Sequence, residues 1–167
     1  LAAVIKSKIE RYRETQRSTR LDGLTGLLNH TAAKSLLKQM CSRLKPNQAL
    51  TVAMIDIDRF KSINDTYGHP VGDQVIRGLA WLLKGRLRSS DLVGRYGGEE
   101  FIVALPDVSP KKAAQVIDRI RADFASLPHA HPHGSILATF SAGLASHPDF
   151  HSAQQLTEAA DYALLEA

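Results

Sequence analysis

Apolar and polar positions alternate along the chain with periods that change from helical to extended and back. Residues 1–20 contain no Gly or Pro, and Leu1, Ile5 and Tyr12 fall at heptad spacing with Lys8, Thr15 and Thr19, which predicts a helix with a poor coiled-coil seam. Over 31–44, Ala32, Leu36, Leu37 and Met40 share one helical face, with Thr31 or Asn29 as the N-cap and Pro46 as the stop. The run LTVAMIDI at 50–57 has strand length and the apolar continuity of a strand covered on both faces. A short polar helix is predicted over 59–66, a turn over 67–72, and then a longer helix to about Leu87. In that helix Val75, Ile76, Leu79, Leu82 and Leu83 face a core, and Trp81 falls at core spacing beside them.

Segments 91–95 and 101–105 flank Gly97-Gly98 and read as a β-hairpin, with the glycines supplying the positive φ of a tight turn. Ser109 or Pro110 opens an amphipathic helix reaching about Leu127, 129–134 is a loop, 136–145 a strand and 152–166 a final helix. After the opening helices the order is β-α-α-β-β-α-β-α, an α/β sandwich with an antiparallel hairpin in its sheet.

The chain has 167 residues, 44% of them hydrophobic and 23% charged, which suits one globular domain with a substantial core and excludes a disordered or collagen-like chain. No apolar run approaches the ~20 residues of a membrane span. The single Cys41 permits no internal disulfide and fits a reducing, cytoplasmic setting. The chain begins at Leu1 without Met and reads as a fragment. Its formal charge of +4 resides in residues 1–20, where Lys6, Lys8, Arg11, Arg13, Arg17 and Arg20 outnumber Glu10 and Glu14; the rest is neutral, with 15 bases and 15 acids. A nucleic-acid module needs a basic stripe on its globular part, and that balance provides none.

Two carboxylates, Asp56 and Asp58, end the first predicted strand on one side of the sheet, and Glu99 and Glu100 follow the hairpin glycines. If the hairpin pairs beside that strand, four carboxylates meet and call for a hard divalent cation, Mg²⁺ or Mn²⁺; otherwise they are solvated strand-end groups. Gly97 and Gly98 offer backbone that a ligand can approach closely. Asn64 and Asp73 place a carboxamide and a carboxylate across a turn, suited to the adjacent N–H donors of guanine, with helix capping as the plainer role for Asp73. His129, His131 and His133 alternate in a Pro-containing loop without an obvious fourth metal ligand, and Cys41 reads as a small, partly buried apolar residue.

LDGLTGLLNH (21–30), DIDRFKSINDTYGHPVGD (56–73), RSSDLVGRYGGEEF (88–101) and SAGLA (141–145), in this order and spacing, resemble the GGDEF domain of diguanylate cyclases. The resemblance covers 21–167, leaving 1–20 as a helical stalk. It implies a mixed sheet wrapped by helices, related to nucleotidyl cyclases and polymerase palms, and the joining of two GTP into cyclic di-GMP with release of pyrophosphate. It also implies catalytic roles for Glu99 and Glu100. Asp56, Glu99 and the Ile57 carbonyl would ligate Mg²⁺, with Glu100 or Asp58 assisting a second ion. Gly97, Gly98, Phe60 and Lys61 would surround the phosphates, and Asn64 and Asp73 would read guanine. Arg88 and Asp91 match the family's RxxD inhibitory product site, and Arg119 a secondary inhibitory contact. A product of two nucleotides implies a homodimer, and the stalk implies an upstream sensory domain, in a parent protein whose membrane anchoring the sequence leaves open.

Two departures stand out. The signature is GGEEF, which keeps the carboxylate. The last helix reads DYALLEA where the family continues with a basic AKxxGRN segment that clamps the triphosphate, and Leu165 stands where Tyr is common, so a truncated clamp is expected. The rival readings are a non-catalytic cyclic di-GMP receptor using Arg88 and Asp91, a nucleic-acid module, and a palm or mononucleotide cyclase.

Overall fold

The computed structural model describes residues 2–166, apart from the side chains of residues 15–18. The elements run α1 (Ala2–Arg20), α2 (His30–Ser42), β1 (Leu50–Ile57), α3 (Phe60–Tyr67), α4 (His69–Arg86), β2 (Leu92–Arg95) and β3 (Glu100–Pro106). There follow α5 (Pro110–Ala125), β4 (His129–His131), β5 (Gly134–Ile136), β6 (Phe140–His147) and α6 (Ala153–Leu165). Side-chain caps start three of the helices: Asn29 accepts from the Ala32 N–H, Ser109 from Lys112 and Ser152 from Gln155.

β1 and its neighbour β3 are apolar enough to be covered on both faces, and β1 takes a central place. It pairs antiparallel with β3 on one side and β6 on the other, and β2 extends the sheet beyond β3, giving the order β2-β3-β1-β6. All the ladders are antiparallel; the parallel part of the expected mixed sheet is one bridge from Leu28 to Gly94. Ala53, Ile55, Ile57, Phe101, Val103 and Leu105 pack beneath α4 and α5. Leu50, Val52, Met54, Ile102 and Ala104 pack beneath α2 and α6. Strand alternation therefore assigns Asp56 and Glu100 to the α2/α6 side.

Several expectations change. The turn at 67–72 contracts to Gly68, at φ 89, because Pro70 fits the first turn of α4. The 129–134 loop is part of a small β4–β5 hairpin, Ile136 closes β5, and the long strand begins only at Phe140. Trp81 is 70% exposed, on the solvent side of α4 between buried Ala80 and Leu82. Neither Gly97 nor Gly98 has positive φ. On α1 the exposed apolar side chains are Val4, Ile5, Ile9 and Tyr12. Ala2, Ile5, Ile9 and Tyr12 form a three-four-three seam that includes Ile9, which the first register leaves out. Among the described residues no helix is long and apolar enough to cross a membrane.

Candidate functional site

The site lies where β1 ends beside the β2–β3 turn. Asp56 sits directly across from Glu100 in the ladder. One residue on, the Ile57 N–H donates to the Glu99 carbonyl at 3.2 Å, so Glu99 is held against the strand end. The turn itself is closed by the Tyr96 and Gly97 N–H groups, which donate to the Glu100 carbonyl at 2.7 and 3.2 Å. A Cβ on Gly97 would come within 3.2 Å of the Glu100 carboxylate, whereas one on Gly98 would meet nothing within 4 Å. The fold thus makes no steric or conformational demand for glycine at 98.

Asp56 is half-buried, and its carboxyl is pushed up to about 6, first by burial and then by Glu99, Glu100, Asp58 and Asp161. Glu100 is raised by burial, Asp161 and Glu99, with His30 acting in the opposite sense, and burial with Asp161 and Glu100 raises Tyr96. The expected meeting of carboxylates is present, with one addition. Asp161 of α6 joins them because α6 lies directly on β6: a Cβ on Gly143 would strike the α6 backbone at Ala160 and Leu164. That glycine, within SAGLA, is the sequence signal that could have placed α6, and hence Asp161, at the site.

Asp58, expected to assist a second ion, is engaged within the fold. Its carboxylate accepts from the Thr139 and Ser141 hydroxyls, both at 2.7 Å, and fastens the end of β1 to β6. The chain then turns sharply through Arg59, in the left-handed region at φ 53, into α3. Phe60 packs against the core, and Lys61 is exposed in the first turn of α3. Farther along α3 the Asn64 Oδ1 is buried without a hydrogen-bond partner among the described residues. Gly72 on α4 makes room for it, since a Cβ there would fall on Asn64 Oδ1 and 3.2 Å from Phe60. Asp73 is half-buried one residue further and is not a cap, because α4 begins at His69.

Among the described residues no three His, Cys, Asp or Glu side chains form a ready-made metal cage. Mg²⁺ is ordinarily held by one or two carboxylates plus substrate phosphates and water, so two acidic ligands that repel each other fit it. The His129–His133 segment forms no metal cluster either: His131 stacks on Tyr67 at 5.1 Å, and His129 is buried beside Phe124.

Arg88 and Asp91 are joined in a local turn. Asp91 accepts from the Arg88 N–H at 2.7 Å and from its guanidinium at 2.9 Å, and Arg88 also donates to the Pro106 carbonyl at 3.0 Å. The Asp91 side chain is 2% exposed and that of Arg88 55%. Arg119 is exposed on α5, and no hydrogen bond or ion pair among the described residues joins it to this pair.

The family described as "Diguanylate cyclase, GGDEF domain" matches residues 19–167. The diguanylate cyclase DgcP of Pseudomonas aeruginosa is 39% identical over 156 residues, covering 92% of this chain and 23% of its own length. Diguanylate cyclase A of Treponema denticola is 43% identical over 121 residues, covering 72% of this chain and 33% of its own. The chain thus spans a third or less of these relatives. Among solved structures, the coiled coil and GGDEF domain of DgcB from Caulobacter crescentus, in complex with c-di-GMP, superposes with a TM-score of 0.88 at 31% identity, over 98% of this chain and 90% of that one. With the family match spanning nearly the whole globular part, the carboxylates across the β1–β3 ladder and the GGEEF turn are those of a GGDEF domain, and this chain belongs to the diguanylate cyclase GGDEF family.

Proposed function

We propose that the chain is the catalytic domain of a diguanylate cyclase that condenses two GTP into cyclic di-GMP. The observation that carries this reading is the half-buried Asp56, pushed up to about 6 beside Glu99 and Glu100 at the end of β1. Such a group of like charges is costly unless a cation and its phosphate cargo occupy it. Asp56, Glu99 and the Ile57 carbonyl would hold Mg²⁺ or Mn²⁺, with Glu100 assisting; the bound ion would polarise phosphate oxygens. The Gly97-Gly98 turn would let the phosphates approach its backbone closely, and Lys61 would add a positive charge. The Asn64 side chain, whose Oδ1 has no partner among the described residues, would turn from Gly72 to accept a guanine N–H. Asp73 accepts from the same edge, and Phe60 and Gly72 wall the base.

Each domain holds one GTP, so two domains face each other with each 3′-OH aimed at the other's α-phosphate. Catalysis is then chiefly positioning and charge stabilisation. Glu99 would help hold the ion and would accept the 3′-OH proton. Product restrains the enzyme at Arg88 and Asp91, with Arg119 as a secondary contact: the exposed Arg88 fork exchanges Pro106 and Asp91 for a guanine edge or phosphate.

Glu99→Gln in the intact protein is expected to lower cyclic di-GMP synthesis at least about a hundredfold, the scale of losing one group that stabilises transition-state charge. Circular dichroism and melting should be preserved. Undiminished turnover, with the product identified by mass spectrometry, overturns the assignment.

A further inference from the structure

We propose that Asp22 and Arg95 are positioning residues that fasten the phosphate-binding turn to the segment through which α1 enters the domain. This rests on the cyclase reading above for the turn's role, but the link itself is visible without a ligand. Arg95, the last residue of β2, donates from Nε and Nη2 to the Gly98 carbonyl at 3.1 and 2.8 Å. Its Nη1 reaches the Asp22 carboxylate at 3.2 and 3.3 Å. The two side chains are only 19% and 20% exposed, so water screens this pair less than an open surface pair.

Asp22 is itself pinned. It accepts from the Thr25 N–H at 2.9 Å and hydroxyl at 2.8 Å, and its own N–H donates to the Leu27 carbonyl at 2.7 Å. The loop it organises is tied at both ends. Asn29 donates from its backbone to the Arg20 carbonyl at 2.8 Å and from its side chain to the Thr19 carbonyl at 2.7 Å, gripping the end of α1. The Arg95 N–H in turn donates to the Leu28 carbonyl at 2.8 Å. A series of hydrogen bonds and chain segments therefore runs from the last turn of α1 to Gly98.

The consequence follows from peptide geometry. In a planar trans peptide the C=O of Gly98 and the N–H of Glu99 point in opposite directions. A guanidinium holding the Gly98 carbonyl on the Arg95 side thus aims the Glu99 N–H to the other side of the turn. It also fixes the plane from which the Glu99 side chain departs. The bidentate grip requires the Arg fork, which Lys lacks. Asp22 keeps that fork oriented without itself contacting the turn.

The test compares wild type with Asp22→Asn, Arg95→Lys and the double variant in the intact protein. In nucleotide-free protein, amide exchange at 97–99 should accelerate in both single variants relative to β1 amides. With Mg²⁺ and a non-hydrolysable GTP analogue, each single variant should bind about tenfold more weakly, the scale of one charge-assisted hydrogen bond. The double variant should bind no worse than Arg95→Lys alone, because both changes break one series. Asp22→Glu, which keeps the charge, should recover most of the loss, and it carries the test with Arg95→Lys if Asp22→Asn does not fold.

Unchanged exchange at the turn, additive losses in the double variant, or exchange that rises equally throughout β1 would overturn the proposal. A wild-type protein that does not bind the analogue would instead overturn the cyclase reading, and the exchange arm alone would then decide the relay.

Discussion

At the scale of single residues, Gly98 and Arg88 separate what the fold needs from what a ligand needs. A Cβ at Gly98 meets nothing and its φ lies outside the left-handed region. Gly98→Ala should therefore leave stability unchanged or raise it by up to about 1 kcal/mol through the unfolded chain. If the turn cradles phosphate as proposed, the same methyl obstructs it and affinity for a GTP analogue should fall at least about tenfold, as for a buried group denied its close contact. Calorimetric titration beside a melting curve checks both signs; intact affinity would remove the turn from the phosphate site. Arg88 is more than half exposed, and its buried partner Asp91 keeps the bond from the Arg88 backbone N–H whatever the side chain is. Arg88→Ala should thus abolish inhibition by added cyclic di-GMP with little change in melting, and a retained inhibition curve would place the product elsewhere. These residues were legible in the sequence because each cluster is contiguous. Asp161 and the Asp22–Arg95 pair were not, since 73 residues separate the latter and only packing joins them.

At the scale of elements, the long periodic segments were readable and the short ones were not. β1 matches its apolar run, and α2 matches its predicted face and the Asn29 cap. β4 and β5 have three residues each, too few for a period to register, and alternating His around a Pro resembles a loop. What makes this hairpin an element is His129, 4% exposed against α4 and α5. Its ring approaches Phe124 at 5.4 Å, and a Cβ on Gly78 would lie 2.8 Å from it. Its Nε2 has no partner among the described residues, and burial alone holds its pKa below the usual histidine value. The unfolded chain therefore binds a proton first as pH falls below about 6.5, and stability contributed by neutral His129 is lost from there down through its folded value. Urea denaturation at pH 7.5 and 5.5 should show wild type losing more stability than His129→Phe, which fills the site without a titrating group. Equal losses would show that protonation of His129 does not limit acid stability.

At the scale of the whole molecule, the proposed reaction requires two domains, and α1, with its described side chains exposed, is the element available to pair them. Its exposed Ile5, Ile9 and Tyr12, with Ala2, continue as Gln16 and Thr19 in the same register, so the apolar seam covers only about half the helix. The positions flanking the seam include Lys6, Lys8, Arg13 and Arg20, with uncharged Leu1 and Thr15 as the others. In a parallel pair Lys8 of one copy faces Arg13 of the other, a like-charge contact made twice. The charge of +4 that belongs to this segment therefore opposes the association that the seam favours. A helix built this way should pair weakly alone and tighten when its charge is screened. Raising salt from about 0.05 to 0.5 M shortens the Debye length from roughly 14 Å to about 4 Å and should increase the dimer fraction measured by sedimentation equilibrium, whereas salt-bridged seams behave in the opposite way. Ile9→Asp should abolish that rise and lower cyclic di-GMP synthesis most at low protein concentration, while leaving binding of the GTP analogue to each domain unchanged. Synthesis that is independent of protein concentration in Ile9→Asp would show that the two active sites meet without α1.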